Sequence, residues 1–138
     1  MTSSPAQFLT TVYIEPWSDP AYPARRWRTT APLRYRDRSG AFWEVPSRFP
    51  IDLATIPIWA RWLFPPNGPY KAQAILHDYL RRILVMQDHG MSKAVADRLF
   101  YEALGVGYVE MVNGKAITVP PIARWKAWAM YQFVKRWQ

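Results

Sequence analysis

The sequence contains no cysteine. That absence excludes a disulfide framework and any thiolate-bound metal, and it leaves the compartment open. No run of about 18 apolar residues occurs, which argues against a membrane-spanning helix. The first ten residues carry no Lys or Arg and no long apolar stretch, so no secretory signal is expected. Internal repeats and low-complexity tracts are missing. Acidic residues are scarce: ten Asp and Glu stand against eighteen Lys and Arg, for a formal charge of +8. Such a balance favours nucleic acid, anionic membrane or an acidic partner. The basic residues are dispersed, however, and no helix-turn-helix or zinc-finger spacing is visible, which argues against specific nucleic-acid binding. What the chain has in quantity is apolar and aromatic. Half of its 138 residues are apolar, and eight Trp, eight Tyr and six Phe supply large core pieces. Disorder of the whole chain is excluded on that composition, and the length suits one domain that buries roughly 70% of its unfolded surface.

Residues 1–26 are rich in Pro, Ser and Thr. They read as an extended arm with a short edge strand at 11–14, and Pro16, Pro20 and Pro23 exclude a helix there. In an assembly such an arm is a natural clasp for a neighbouring copy. Residues 27–138 then read as one globular domain. Residues 28–45 form a hairpin, with Leu33 and Tyr35 alternating with Arg34 and Arg36 around the turn Asp37-Arg38-Ser39-Gly40. Thr55 caps a short helix from Pro57 to Phe64. Pro65-Pro66-Asn67-Gly68-Pro69 breaks the chain, and a long helix follows over 70–86. Ser92 caps a helix over 93–104 that Gly105 closes. Asn113-Gly114 marks a second hairpin over 108–119. A final helix runs from Pro120-Pro121 to Trp137, with Trp125, Trp128, Ala129 and Phe133 spaced for burial and Arg124, Lys126, Lys135 and Arg136 outside. The expected fold is α+β and mainly helical: an antiparallel helix pair carrying a His-Asp motif, with two peripheral β-hairpins.

The chemistry-bearing feature is His77-Asp78, set among Ala74, Ile75, Leu76 and Leu80. Burying an imidazole and a carboxylate costs free energy unless each finds a partner. Asp97 lies on the following helix, within side-chain reach of His77 if the two helices are antiparallel neighbours. A hydrogen bond from one ring nitrogen to Asp97 would fix the tautomer and leave the other nitrogen as a base. His77 and Asp97 are therefore the candidate catalytic pair. Asp78 and Asp52 are candidate ligands for a hard cation such as calcium, with Asn67 and Gly68 in the supporting turn and Thr55 at the cap. A structural reading stands beside this one. A helical His near an Asp is commonly a satisfied hydrogen bond. Asp78 has Arg81 and Arg82 at helical spacing, and Asp97 has Lys93. A His-Asp metal phosphohydrolase needs further histidines, and only His89 remains, which reads as solvated.

Four motifs in order carry a resemblance: Asp52-Leu53-Ala54-Thr55-Ile56-Pro57; Gly68-Pro69-Tyr70; Ala74-Ile75-Leu76-His77-Asp78-Tyr79-Leu80; and Ala96-Asp97-Arg98-Leu99-Phe100-Tyr101-Glu102-Ala103-Leu104. Over about 42–104 they resemble domain-of-unknown-function family 1353, found in tailed phages and prophages. The resemblance picks out Asp52, Thr55, Pro57, His77, Asp78 and Asp97, and implies a phage origin and no established activity. The Asn113-Gly114 hairpin is expected outside the shared core. The glycine turn, the His-Asp pair and the later Asp are also similar to phospholipases of the A-two type. That likeness implies that His77 activates water, Asp78 binds calcium and Asp97 orients the ring. Arg81 stands where those enzymes carry a supporting Tyr, and the glycine loop is reduced to Gly68.

Two functions follow as expectations. One is a small phage-encoded hydrolase acting on lipid or another envelope component. The other is a non-catalytic virion or tail component, with virion proteins as partners and the N-terminal arm as an oligomer contact. A third, weaker reading is a host-directed binding protein that uses the basic surface. A membrane surface is a further expected partner, and the expected location is the virion or the host cytoplasm.

Overall fold

The structure, a computed structural model, describes residues 5–22, 25–52, 68–85, 87 and 89–137. Their elements are β1 (Gln7–Phe8), β2 (Ile14–Pro16), β3 (Arg25–Thr29), β4 (Leu33–Arg36), β5 (Phe42–Val45), β6 (Pro50–Asp52), α1 (Lys71–Tyr79), a π-helical turn (Leu80–Val85), α2 (Lys93–Leu104), β7 (Tyr108–Val112), β8 (Lys115–Val119) and α3 (Arg124–Trp137). The strands make three antiparallel sheets, in the orders β1-β4-β5, β2-β3-β6 and β7-β8.

The expectation of a mainly helical molecule is therefore overturned. Eight strands accompany three α-helices among the described residues. The extra strands lie where proline obscured them. Pro16 ends β2, and Pro50 opens β6. Both outer strands flank β3, where proline is tolerated because an edge needs fewer N–H donors. The short helix expected over 57–64 lies outside the described residues.

The segment read as an arm is built into the sheets. Phe8 pairs with Tyr35 and is buried against it, with ring centroids 4.8 Å apart. Val12 bridges to β7: its N–H donates to the Val109 carbonyl at 2.8 Å, and its carbonyl accepts from Met111 at 3.0 Å.

The hairpin β4–β5 keeps Leu33, Tyr35 and Val45 inside. Its turn is organised by Asp37. One carboxylate oxygen accepts from Ser39 and Ala41, and the other accepts from the Trp43 indole at 2.8 Å. Burial alone would raise the Asp37 carboxyl, but hydrogen bonds from Ser39 and Trp43 outweigh it and hold the group below the usual carboxylate range. In the β7–β8 hairpin both Asn113 and Gly114 take positive φ, as a two-residue turn matched to strand twist requires.

Helices α1 and α2 pack side by side. Gln73 donates to the carbonyls of Ala103 and Val106, while His77, one turn further on, meets Asp97 further back. Advancing on one helix while retreating on the other makes the pair antiparallel. The helix expected over 70–86 is regular only to Tyr79. It then widens into the π-helical turn, and the His89 N–H closes back on the Leu84 carbonyl. Two apolar clusters result. The larger joins the sheets to Ala72, Ile75, Leu76, Leu80 and Leu99. The smaller joins Phe100 and Leu104 of α2 to Met130, Phe133 and Val134 of α3. No helix among the described residues is long and apolar enough to cross a membrane.

Candidate functional site

The polar cluster sits where α1, α2 and α3 converge. Leu76 and Leu80 turn one face of α1 into the core, and this carries His77 to the α2 side, where its ring lies 4.8 Å from that of Phe100. Ser92 starts α2 by accepting from the Val95 N–H at 3.2 Å. That start places Asp97 one turn beyond Lys93.

His77 Nε2 and Asp97 Oδ1 are 2.7 Å apart. Lys93 Nζ meets Asp97 Oδ2 at 2.7 Å. The same ammonium donates to the carbonyls of Val134, at 3.2 Å, and Lys135, at 2.9 Å, in the last turn of α3. A cation is favoured at that end of a helix, where unpaired carbonyls gather. Arg81 Nη1 stands 3.7 Å from Asp97, and its Nε and Nη1 are buried without a hydrogen-bond partner among the described residues. Asp97 is 1% exposed and His77 5%.

Burial disfavours the imidazolium and holds the His77 pKa below its ordinary 6.5, against the pull of Asp97. Burial alone would raise the Asp97 carboxyl. Hydrogen bonds from His77 and Lys93 outweigh it and hold Asp97 below the usual carboxylate range. At neutral pH the cluster is thus a neutral imidazole, a carboxylate and an ammonium. Nε2 carries the proton and donates to Asp97.

The remaining sequence candidates fall elsewhere. Asp78 points away from His77, as adjacent helical residues must, and pairs with Arg82 at 3.0 Å. Arg82 also donates to the Pro50 carbonyl, and its guanidinium lies 4.5 Å from the centre of the Phe49 ring. Asp52 ends β6, opposite Arg25. Its side chain, together with Asn67 and Thr55, lies outside the described residues. Gly68 accepts from the Tyr70 N–H at 2.9 Å in the turn before α1. His89 is exposed, as expected. Among the described residues no group of three His, Asp or Glu gathers to hold a cation.

Residues 27–134 match the family described as "Protein of unknown function (DUF1353)". The chain belongs to that family. The DUF1353 match is wider than the motifs suggested. It runs from the middle of β3 through most of α3, so the Asn113-Gly114 hairpin lies inside it, contrary to expectation. Both parts of the cluster, the His77–Asp97 pair and the Lys93 tie to α3, fall within the matched region. No curated protein and no solved structure matches the chain.

A second, partly buried ion pair escaped the sequence reading. Lys71 Nζ meets Glu110 at 2.7 Å, and the Tyr108 hydroxyl accepts from the Lys71 N–H at 3.0 Å. Tyr108 thereby serves the start of α1, where Tyr70 provides no side-chain cap. Burial pushes the Tyr108 hydroxyl up to about 12. Both contacts span nearly forty positions, and no local motif announces them.

Proposed function

We propose that this chain is a non-catalytic assembly component of a tailed-phage particle, with the His77–Asp97–Lys93 cluster fastening its three helices together. The observation that supports this reading is the full pairing of the buried Asp97 carboxylate. Both Asp97 oxygens are engaged, the carboxylate is 1% exposed, and Lys93 extends the network to the end of α3. A buried carboxylate with both oxygens paired holds the elements that supply its partners in one arrangement. The phage setting rests on the family resemblance.

Particles of the phage or prophage that encodes the chain are expected to contain it, by mass spectrometry of purified virions. The purified chain is expected to hydrolyse no phospholipid vesicle, with or without calcium. Particles that lack the chain would overturn the reading. So would turnover that His77→Asn abolishes while the circular dichroism spectrum stays native.

A second reading, a hydrolase acting on envelope lipid, has one observation in its favour. His77 Nε2 is committed to Asp97 and the ring is neutral, which leaves Nδ1 as the unprotonated nitrogen. That is the tautomer a general base needs. The vesicle assay separates the two readings.

A further inference from the structure

The sequence pattern assigned Trp125 and Trp128 to the interior, and the structure places them outside, 68% and 52% exposed. Helix α3 buries Ala127, Met130 and Val134 together with the expected Phe133. At 100° per residue, Arg124, Trp128, Tyr131 and Lys135 fall within an arc of about 60°, centred roughly 120° around the helix from the buried stripe, and Trp125 and Arg136 both lie beyond its Trp128 edge. Trp128 and Tyr131 pack with Tyr101 of α2 in a ladder with ring centroids 5.0 to 5.9 Å apart. The Lys135 ammonium lies 5.8 Å from the centre of the Tyr131 ring. The helix contains four cations and no acidic residue.

Exposed aromatic rings in a contiguous, cationic patch mark a surface that has a partner. We infer that the outer face of α3 docks on an anionic lipid bilayer, lying in the plane of the headgroups. The chemistry favours that occupant. Trp and Tyr settle at the boundary between headgroups and acyl chains, while Lys and Arg reach the phosphates. A second copy of the chain is a poor occupant: antiparallel pairing of two α3 helices would bring Lys135 and Arg136 against Arg124 and Lys126, cation on cation. Single-stranded nucleic acid calls for a groove that tracks the backbone, and α3 is a convex ridge. This inference goes beyond the assembly reading and does not rest on it.

The test is co-sedimentation of the full chain with two sets of vesicles, phosphatidylcholine alone and phosphatidylcholine mixed with phosphatidylglycerol. Tryptophan emission is read in parallel. Binding to the mixed vesicles is expected, with a blue shift, and with affinity that falls as salt rises. Lys135→Gln with Arg136→Gln should weaken it roughly fivefold per charge removed. Trp125→Ser with Trp128→Ser should weaken it by roughly tenfold or more, with a native circular dichroism spectrum and only a small drop in melting temperature from the lost Trp128–Tyr101 contact. Four results would overturn the inference: no binding to mixed vesicles, equal binding to neutral ones, indifference to both double variants, or tighter binding to single-stranded DNA through the same residues.

Discussion

Lys93 is the residue on which the polar cluster turns. It neutralises Asp97 and, through the Val134 and Lys135 carbonyls, joins α2 to α3. Removing it leaves a carboxylate that is 1% exposed with one oxygen unpaired. A buried charge stripped of its partner costs several kcal/mol, but the Lys93 side chain is 38% exposed, so water can replace part of it. Lys93→Met is expected to destabilise by about 2 kcal/mol, read as a lower urea midpoint at constant slope. His77 sets the pH response. Its pKa is lower folded than unfolded, so the unfolded chain binds more protons as the pH falls below 6.5. The stability that neutral His77 contributes is whole above that value and is lost as pH falls through the folded pKa. Asp97, also lowered, adds a loss in the same direction at more acid pH, below 3.8. Melting temperature should therefore fall on acidification from about pH 7 to about pH 5, and His77→Gln should flatten that fall. A profile that the substitution leaves unchanged would mean that His77 is not the group protonated on unfolding.

Elements differ in how plainly the sequence announced them. Both hairpins were legible because their turns are local, Asp37 to Gly40 and Asn113-Gly114 carrying the chemistry in consecutive residues, but the expected first hairpin also took in Arg28 and Thr29, which belong to β3 in another sheet. Helix α2 was legible for the same reason, since Ser92 and Gly105 stand at its two ends. The sheet β2-β3-β6 was not, because its strands are short, contain proline and pair across long stretches of chain. The π-helical turn leaves no mark in the apolar period. Periodicity found the helix α3 but chose the wrong face for two tryptophans, since a repeat gives the spacing of a stripe and not which neighbour covers it. Of the candidate site, the His77–Asp97 contact followed from helix spacing, and the Lys93 pairing was visible as an i,i+4 neighbour. The tie from Lys93 to α3 required the tertiary structure. At this scale Gly107 gives a sharp prediction. A Cβ there would stand 2.7 Å from the Val119 carbonyl oxygen, a backbone atom at the end of β8 that cannot swing aside. Gly107→Ala should cost about 2 kcal/mol by denaturant unfolding. Ser92→Ala, which loses the cap on the Val95 N–H, should cost about 1 kcal/mol.

Across the whole molecule, the N-terminal segment does the joining. Among the described residues the β7–β8 hairpin shares no sheet with the other strands, and Val12 bridges it to them through two backbone hydrogen bonds. Phe8 fills the space between Tyr35 and Tyr108, with ring centroids 4.8 and 6.1 Å away. Lys71 and Glu110 fasten the same hairpin to the start of α1, so the hairpin is held from two sides. Deleting residues 1–12 would remove both buried apolar side chains and leave the Val109 carbonyl and Met111 N–H without their bridge. Each of the two side chains is worth about 2 kcal/mol when buried, so the truncated chain should lose about 4 kcal/mol or more. A domain of ordinary stability holds about 5 to 15 kcal/mol in all, which would leave the remainder close to unfolding. Limited proteolysis should then cut first around β7 and β8, while the intact chain resists. If the truncated chain unfolds at the same denaturant concentration as the full one, the segment is an appendage, and the hairpin is held by Lys71, Glu110 and Tyr108 alone.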